Sequence, residues 1–131
     1  MPDNTFQYIP GVCNIGKAEI AKRKAELLAS GILAIAVTVM ACFYDTGILW
    51  LLLFVLSGFT ILMYLQVKNK FCVRLGITGK YNFGKLGNSV KITDPGQKAR
   101  DRKKSFIMGL QTLLIAGVYT GLFHLFARLL H

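Results

Sequence analysis

The order of apolar and polar residues divides the chain into three long apolar blocks separated by charged segments. Residues 27–44, 46–67 and 105–127 contain no Asp, Glu, Lys or Arg. At about 1.5 Å of rise per residue, these blocks form helices of roughly 27, 33 and 34 Å, close to a hydrocarbon thickness of about 30 Å. The pattern therefore predicts an all-α integral membrane protein with three transmembrane helices.

The same pattern predicts four segments. They are a cytoplasmic N-terminal segment with an interfacial helix (1–26), a transmembrane helical hairpin (27–67), a basic loop rich in Gly and aromatic residues that ends in a helix start (68–104), and a third transmembrane helix (105–131). The hairpin is expected to be tight, because residues 44–47 are Tyr-Asp-Thr-Gly, which suit a turn and a helix cap. The first block does not resemble a cleavable signal peptide, since it begins late and runs almost directly into the second block.

The N-terminal segment and the long loop carry further local signals. Residues 16–26 are expected to form a helix that continues into the first span, with Asn14 as a candidate cap and Glu19 spaced for an ion pair with Arg23. The residues before this helix mix apolar side chains with Pro and Gly, which predicts a short packed turn. For residues 68–93 the pattern leaves two alternatives open, a small β-like hairpin or an irregular cap.

A helix start is predicted at residues 94–97. Asp94 suits the N-cap, Pro95 the first helical position, and Gln97 the third position of a capping box. The third helix should therefore begin well before its apolar part, and its first turns should form a basic collar. We expect the collar to contact anionic lipids through Lys98, Arg100, Arg102, Lys103 and Lys104.

The charge distribution predicts the orientation. The formal net charge is +10, from 16 Lys and Arg against 6 Asp and Glu. Eleven of these basic residues lie in 68–104 and four in the N-terminal segment, whereas only Arg128 follows the third block. Since positively charged flanks stay cytoplasmic, we expect the N-terminus and the loop inside and the C-terminus outside. The lack of N-glycosylation sequons and retention signals favours a bacterial inner membrane, and no nucleic-acid-binding fold is recognisable in the basic segments.

The sequence offers little chemistry. Cys13 and Cys72 fall on the same predicted side, but zinc needs two further ligands, and the two His residues, His124 and His131, are predicted at the opposite side. His124 lies near the predicted outer interface, which favours anchoring there over haem ligation. The spans contain no carboxylate, which argues against a proton-coupled transporter. We therefore predict no catalytic, cofactor-binding or metal-binding residues.

The stronger signals concern helix packing. Gly117 and Gly121 form a GxxxG pattern, with Gly109 two turns earlier, and the first span carries Ser30, Ala34 and Thr38 at every fourth position. Small residues at this spacing let helix backbones approach closely. Packing of the protein's own three helices needs at least one such face. Two alternatives therefore stay open: both faces serve the protein's own bundle, or one of them is available for a partner helix. The sequence does not decide which face has which role.

The leading functional hypothesis is therefore a small non-catalytic membrane protein, an accessory or assembly subunit of a larger inner-membrane complex. Its expected partners are anionic lipids and either other membrane subunits or further copies of itself. The first alternative is a homo-oligomeric channel or transporter component lined by Thr38, Gln111, Thr112 and Thr120. The second is a membrane-bound enzyme that uses the cytoplasmic loop with Cys13 or Cys72.

Overall fold

A computed structural model describes residues 7–131 of the chain, which are mostly helical. The elements are α1 (Lys17–Tyr44), α2 (Gly47–Asn69), α3 (Val73–Thr78), β1 (Lys80–Tyr81), β2 (Val90–Lys91) and α4 (Pro95–Leu130). Three of these helices, α1, α2 and α4, are long and apolar enough to cross a membrane, which agrees with the prediction of three spans.

The ends of the long helices follow from their capping residues. Only Asp45 and Thr46 separate α1 from α2, and Asp45 takes a left-handed conformation with φ 44° while its N–H donates to the Ala41 carbonyl. The predicted tight hairpin is therefore present. At the start of α4, Asp94 accepts a hydrogen bond of 3.0 Å from the Gly96 N–H, and Pro95 occupies the first turn, as predicted.

The two ends of the bundle differ in character. The hairpin end contains the α1–α2 turn and the last turns of α4, and its core is formed by Val37, Ala41, Trp50, Leu53 and Ala127. The basic end contains the N-terminal turn, the segment from α3 to β2 and the first turns of α4, and its core is formed by Ile15, Ile20, Cys72 and Leu75.

Most of the apolar surface of the long helices is left uncovered. In the most apolar 18-residue windows of α1, α2 and α4, only 22%, 22% and 17% of residues are buried. Many large apolar side chains point outward, such as Ile35, Leu114 and Leu129. In water this surface would be unfavourable by about 25 cal/mol per Å². An uncovered apolar surface of this extent is compatible with a multi-pass membrane protein.

For the loop after α2, the sequence left open a small β-like hairpin or an irregular cap, and the structure has a short helix followed by a β-like pairing. A short antiparallel pairing of Lys80 with Lys91 and Tyr81 with Val90 gives it the β-like part. The α3 helix before it was not predicted, because six residues with an internal Gly give too short a periodic pattern. The predicted cap at Asn14 is also wrong, since Gly16 is the N-cap of α1.

Gly76 allows α3 to lie directly on α4. A Cβ at this position would overlap the Ser105 hydroxyl and would lie 2.8 Å from ring carbons of Phe71. Ser105 in turn donates a hydrogen bond of 3.1 Å to the Val73 carbonyl in the first turn of α3. Because Gly76 has no side chain, α3 can pack in direct contact with α4.

Candidate functional site

The small-residue face of α1 lies inside the bundle. Ser30, Ala34 and Thr38 are all buried against the protein's own helices. The Thr38 hydroxyl lies 2.8 Å from the Tyr119 hydroxyl of α4 and also donates to the Ala34 carbonyl. This face is thus occupied by internal contacts between α1 and its neighbours.

The glycine face of α4 is open. In the described part of the chain, a Cβ built on Gly109, Gly117 or Gly121 would meet no atom within 4 Å beyond its chain neighbours and its own helix backbone. Gly117 and Gly121 are exposed and lie on a different side of α4 from the buried series Met108, Thr112 and Ala116. The two small-residue faces, whose roles the sequence did not separate, therefore have different surroundings in the fold.

The five basic residues of the collar do not form one surface. Arg102 donates its Nε–H to the Ile77 carbonyl of α3 at 3.4 Å, and Lys104 donates to the Asn69 side-chain oxygen at 3.1 Å. The aliphatic stem of Lys98 lies against Gly79. Arg100 and Lys103, together with Lys104, line a recess of about 280 Å³ beside the N-terminal turn.

Asp101 is a buried acidic residue at the centre of the collar, and sequence reasoning missed its role. Its side chain accepts hydrogen bonds from the Tyr8 hydroxyl at 2.9 Å and from the Gly11 N–H at 2.7 Å. Burial, together with the hydrogen bond to Asp101, raises the pKa of the Tyr8 phenol above its ordinary value. The available signal was that Asp101 is the only acidic residue among the Lys and Arg of the collar.

A second buried polar cluster joins α1, the end of α2 and the start of α3. Arg23 forms an ion pair with Glu19, as its spacing predicted, and donates to the Gln66 side-chain oxygen at 3.4 Å. Its remaining amino group lies 2.9 Å from the Cys72 sulfur. Glu19 also accepts a hydrogen bond of 3.0 Å from the Asn82 side chain. Glu19 and Arg23 therefore each have an opposite charge and a polar side chain as partners, so that neither is an uncompensated buried charge.

Asn14 connects the N-terminal turn to the same cluster. Its side chain accepts from the Cys72 N–H at 2.6 Å and donates to the Cys72 carbonyl at 3.1 Å. The backbone of Asn14 accepts from the Asn82 N–H at 2.9 Å. This single amide therefore holds together segments that are 58 residues apart in the chain.

The cysteines of the basic end are buried in the fold. Cys13 and Cys72 are both unpaired thiols, 6% and 1% exposed. Burial raises the pKa of the Cys13 thiol, which keeps it in the less reactive neutral form. Within residues 7–131, no group of three His, Cys, Asp or Glu side chains is placed to hold a metal ion.

The polar residues considered as a channel lining do not share a surface within one chain. Thr38 and Thr112 are buried, and the Thr112 hydroxyl donates to the Met108 carbonyl of its own helix. Gln111 is exposed on the outside of α4. The Thr120 hydroxyl is shielded and has no hydrogen-bond partner in the part of the chain that is described.

At the hairpin end, His124 takes part in an interhelical contact. Its ring lies edge-on to Trp50 with 4.9 Å between the centroids. The Trp50 indole N–H donates to Asp45 at 2.8 Å, and Asp45 also lies 3.8 Å from the Arg128 guanidinium. These contacts attach the last turns of α4 to the hairpin turn.

An apolar groove of about 590 Å³ runs along α4 on the side of α3. Its walls come from Leu62 of α2, from Val73 and Ile77 of α3, and from a stretch of α4 between Arg102 and Leu113. A further recess of about 490 Å³ lies on the other side of α3, with Arg23 and Cys72 at its base. The two depressions make α3 a ridge on the surface of the bundle.

No family model matches the chain, and neither a curated protein nor a solved structure matches it. The candidate surfaces are therefore identified from the geometry of the fold alone.

Proposed function

We propose that this chain is a small, non-catalytic, multi-pass membrane protein that acts as an accessory or assembly subunit of a larger inner-membrane complex. In this proposal a helix of a partner subunit packs on α4 at Gly117 and Gly121. The observation that carries the proposal is the empty space above these two glycines.

The argument rests on the different surroundings of the two small-residue faces. The face of α1 is buried inside the bundle, so the bundle's own packing accounts for Ser30, Ala34 and Thr38. Within residues 7–131, no contact with another helix accounts for Gly117 and Gly121. A close helix approach gains van der Waals contact that lipid cannot replace by a hydrophobic effect, because lipid is equally apolar.

The charge distribution supports an orientation with the basic end in the cytoplasm and the C-terminus outside. Arg23, the α3 segment and the collar all lie at one end of the bundle, while the other end has Arg128 beside Asp45. This asymmetry is the pattern that the positive-inside rule associates with retention in the cytoplasm. The proposal of a bacterial inner membrane rests separately on the lack of N-glycosylation sequons and retention signals in the sequence.

The buried polar clusters favour a non-catalytic role. Glu19, Arg23 and Asp101 are each engaged by neighbouring side chains or backbone groups. Such satisfied networks order the end of a bundle and suit a surface that caps the cytoplasmic side of a complex. The two alternatives, a homo-oligomeric channel or transporter component and a membrane-bound enzyme, gain no specific support from this arrangement.

The test is a pair of substitutions in the native host with an affinity-tagged chain. Gly117→Leu together with Gly121→Leu should reduce co-purification of partner subunits, while the chain still inserts, because Leu is at least as favourable in hydrocarbon as Gly. The matched control is Gly47→Leu at the start of α2. In the described part of the chain, a Cβ at Gly47 likewise meets no atom within 4 Å.

Two outcomes would contradict the proposal. If the double variant assembles with the same partners in the same amounts as the wild-type chain, this face is not the interface. If the double variant loses abundance when it is expressed alone and the Gly47 variant does not, the glycines serve the fold of the chain itself.

A further inference from the structure

The groove between α2, α3 and α4 has an apolar interior despite two hydroxyl groups in its lining. The Ser105 hydroxyl donates to the Val73 carbonyl, and the Thr112 hydroxyl donates to the Met108 carbonyl. Both hydroxyls are therefore already used by the protein's backbone. The remaining lining is mostly aliphatic or aromatic and includes Leu62, Ile77, Phe106 and Leu110.

The length of the groove matches one leaflet of a bilayer. Its α4 wall extends from Arg102 to Leu113, which at 1.5 Å per residue is about 16 Å. Half of a hydrocarbon core of about 30 Å is about 15 Å. The volume of about 590 Å³ lies within the range of roughly 300–1,000 Å³ that is usual for small-molecule pockets.

The mouth of the groove carries a cation. The hydrogen bond from Arg102 Nε to the Ile77 carbonyl holds the guanidinium beside the ridge formed by α3. Within residues 7–131 the terminal amino groups of Arg102 make no other hydrogen bond. The acid that precedes Arg102 in the sequence, Asp101, is engaged by Tyr8 and Gly11. The mouth is therefore positive, and its donors are available.

We infer that this groove binds one anionic phospholipid from the leaflet on the basic side. One acyl chain lies along α4 over Gly109, and the phosphate of the headgroup accepts hydrogen bonds from Arg102. An apolar slot of one leaflet's depth below a single guanidinium matches the chemistry of this ligand from end to end. The inference rests on the membrane insertion proposed above, but not on the partner interface at Gly117 and Gly121.

The experiment uses the purified chain in nanodiscs of phosphatidylglycerol and phosphatidylcholine in equal amounts, with native mass spectrometry to identify the retained lipid. The wild-type chain should retain phosphatidylglycerol in preference to phosphatidylcholine. Arg102→Gln should lower this preference about fivefold, as expected for the loss of one charge at a lipid surface. Arg100→Gln removes the same charge from the opposite side of the collar, outside the groove, and should lower the preference less than Arg102→Gln does.

A second pair of variants tests the position of the acyl chain. Gly109→Leu places a side chain in the groove and should abolish retention of either lipid, although the site is spacious enough for the helix to keep its fold. Gly117→Leu makes the same change two turns further along, outside the groove, and should retain lipid like the wild-type chain.

Several results would overturn the inference. These are equal effects of Arg100→Gln and Arg102→Gln, retention that is indifferent to the headgroup, normal retention by the Gly109 variant, or a lipid-free dimer as the main species. Displacement of the lipid by inorganic phosphate would also overturn it, because the acyl chain would then contribute nothing. A chain that fails to enter the nanodisc would refute the proposed membrane protein itself, whereas an inserted chain without retained lipid refutes only this inference.

Discussion

Gly76→Ala should open the contact between α3 and α4. The new Cβ would lie 2.8 Å from Phe71 ring carbons and would overlap the Ser105 hydroxyl, whereas carbon atoms pack favourably at about 3.5–4.0 Å. Phe71 is completely buried and Ser105 is 2% exposed. Neither side chain has room to move aside, so α3 has to shift away from α4.

The size of the effect follows from two contributions. Adding a methyl group to a closely packed site costs about 1–3 kcal/mol. The shift also lengthens the hydrogen bond from Ser105 to the Val73 carbonyl, and a bond of this kind contributes about 0.5–1.5 kcal/mol. Together they lower the free energy of local opening at the basic end by about 2–4 kcal/mol.

Alkylation of Cys72 provides the assay, since this residue occupies the N-cap position of α3 and is 1% exposed. If labelling requires local opening, a loss of about 2 kcal/mol increases its rate about 30-fold. Peptide mapping distinguishes Cys72 from Cys13 and Cys42. The control is Gly84→Ala, where the nearest atom to the new Cβ lies at 3.9 Å.

A double variant adds a further check. Ser105→Ala removes the overlapping hydroxyl, so Gly76→Ala should cost less in that background than in the wild-type chain. If the Gly76 and Gly84 variants label Cys72 equally fast, the close approach of α3 to α4 does not restrain the basic end and the reasoning is wrong.

Three further predictions concern the N-terminal turn and the orientation. Asp101→Asn should destabilise the turn by about 1–3 kcal/mol, because an amide NH₂ group, which cannot accept a hydrogen bond, replaces one of the two carboxylate oxygens that accept from Tyr8 and Gly11; faster alkylation of Cys13 would reveal this, with Asp45→Asn as the control. The pKa of Tyr8 is raised in the fold. The turn therefore keeps its full stability below the ordinary tyrosine pKa of about 10 and loses stability as the pH rises above that value. Tyr8→Phe should lack this alkaline loss when Cys13 labelling is followed against pH. A cysteine at the exposed position Ser89 should be shielded from a membrane-impermeant reagent in intact cells and labelled after lysis, whereas labelling from outside would reverse the orientation.

The sequence determined the features that depend on neighbouring residues. Uninterrupted apolar blocks set the positions of the long helices, since a span needs only length and hydropathy. The hairpin turn around Asp45 and the start of α4 at Asp94 were also predictable, because capping depends on residues within one turn. The ion pair of Glu19 with Arg23 was visible for the same reason.

Contacts between distant segments were decided only by the tertiary structure. Asn14 has the composition of a helix cap but instead binds the backbone of Cys72, 58 residues away. Asp101 stands among basic residues and would be expected in solvent, yet Tyr8 and Gly11 engage it across at least 90 residues. Local propensity carries no information about such partners, because they are brought together only when the whole bundle forms.

The candidate surfaces show the same division. The sequence predicted two faces of small residues, at Ser30, Ala34 and Thr38 and at Gly109, Gly117 and Gly121, but periodicity cannot say what covers a face. In the fold, α1 turns its small residues inward and α4 leaves its glycines open. The groove under Arg102 has α3 as one wall, and Gly76 lets α3 rest on α4, an arrangement that no single segment of the sequence specifies.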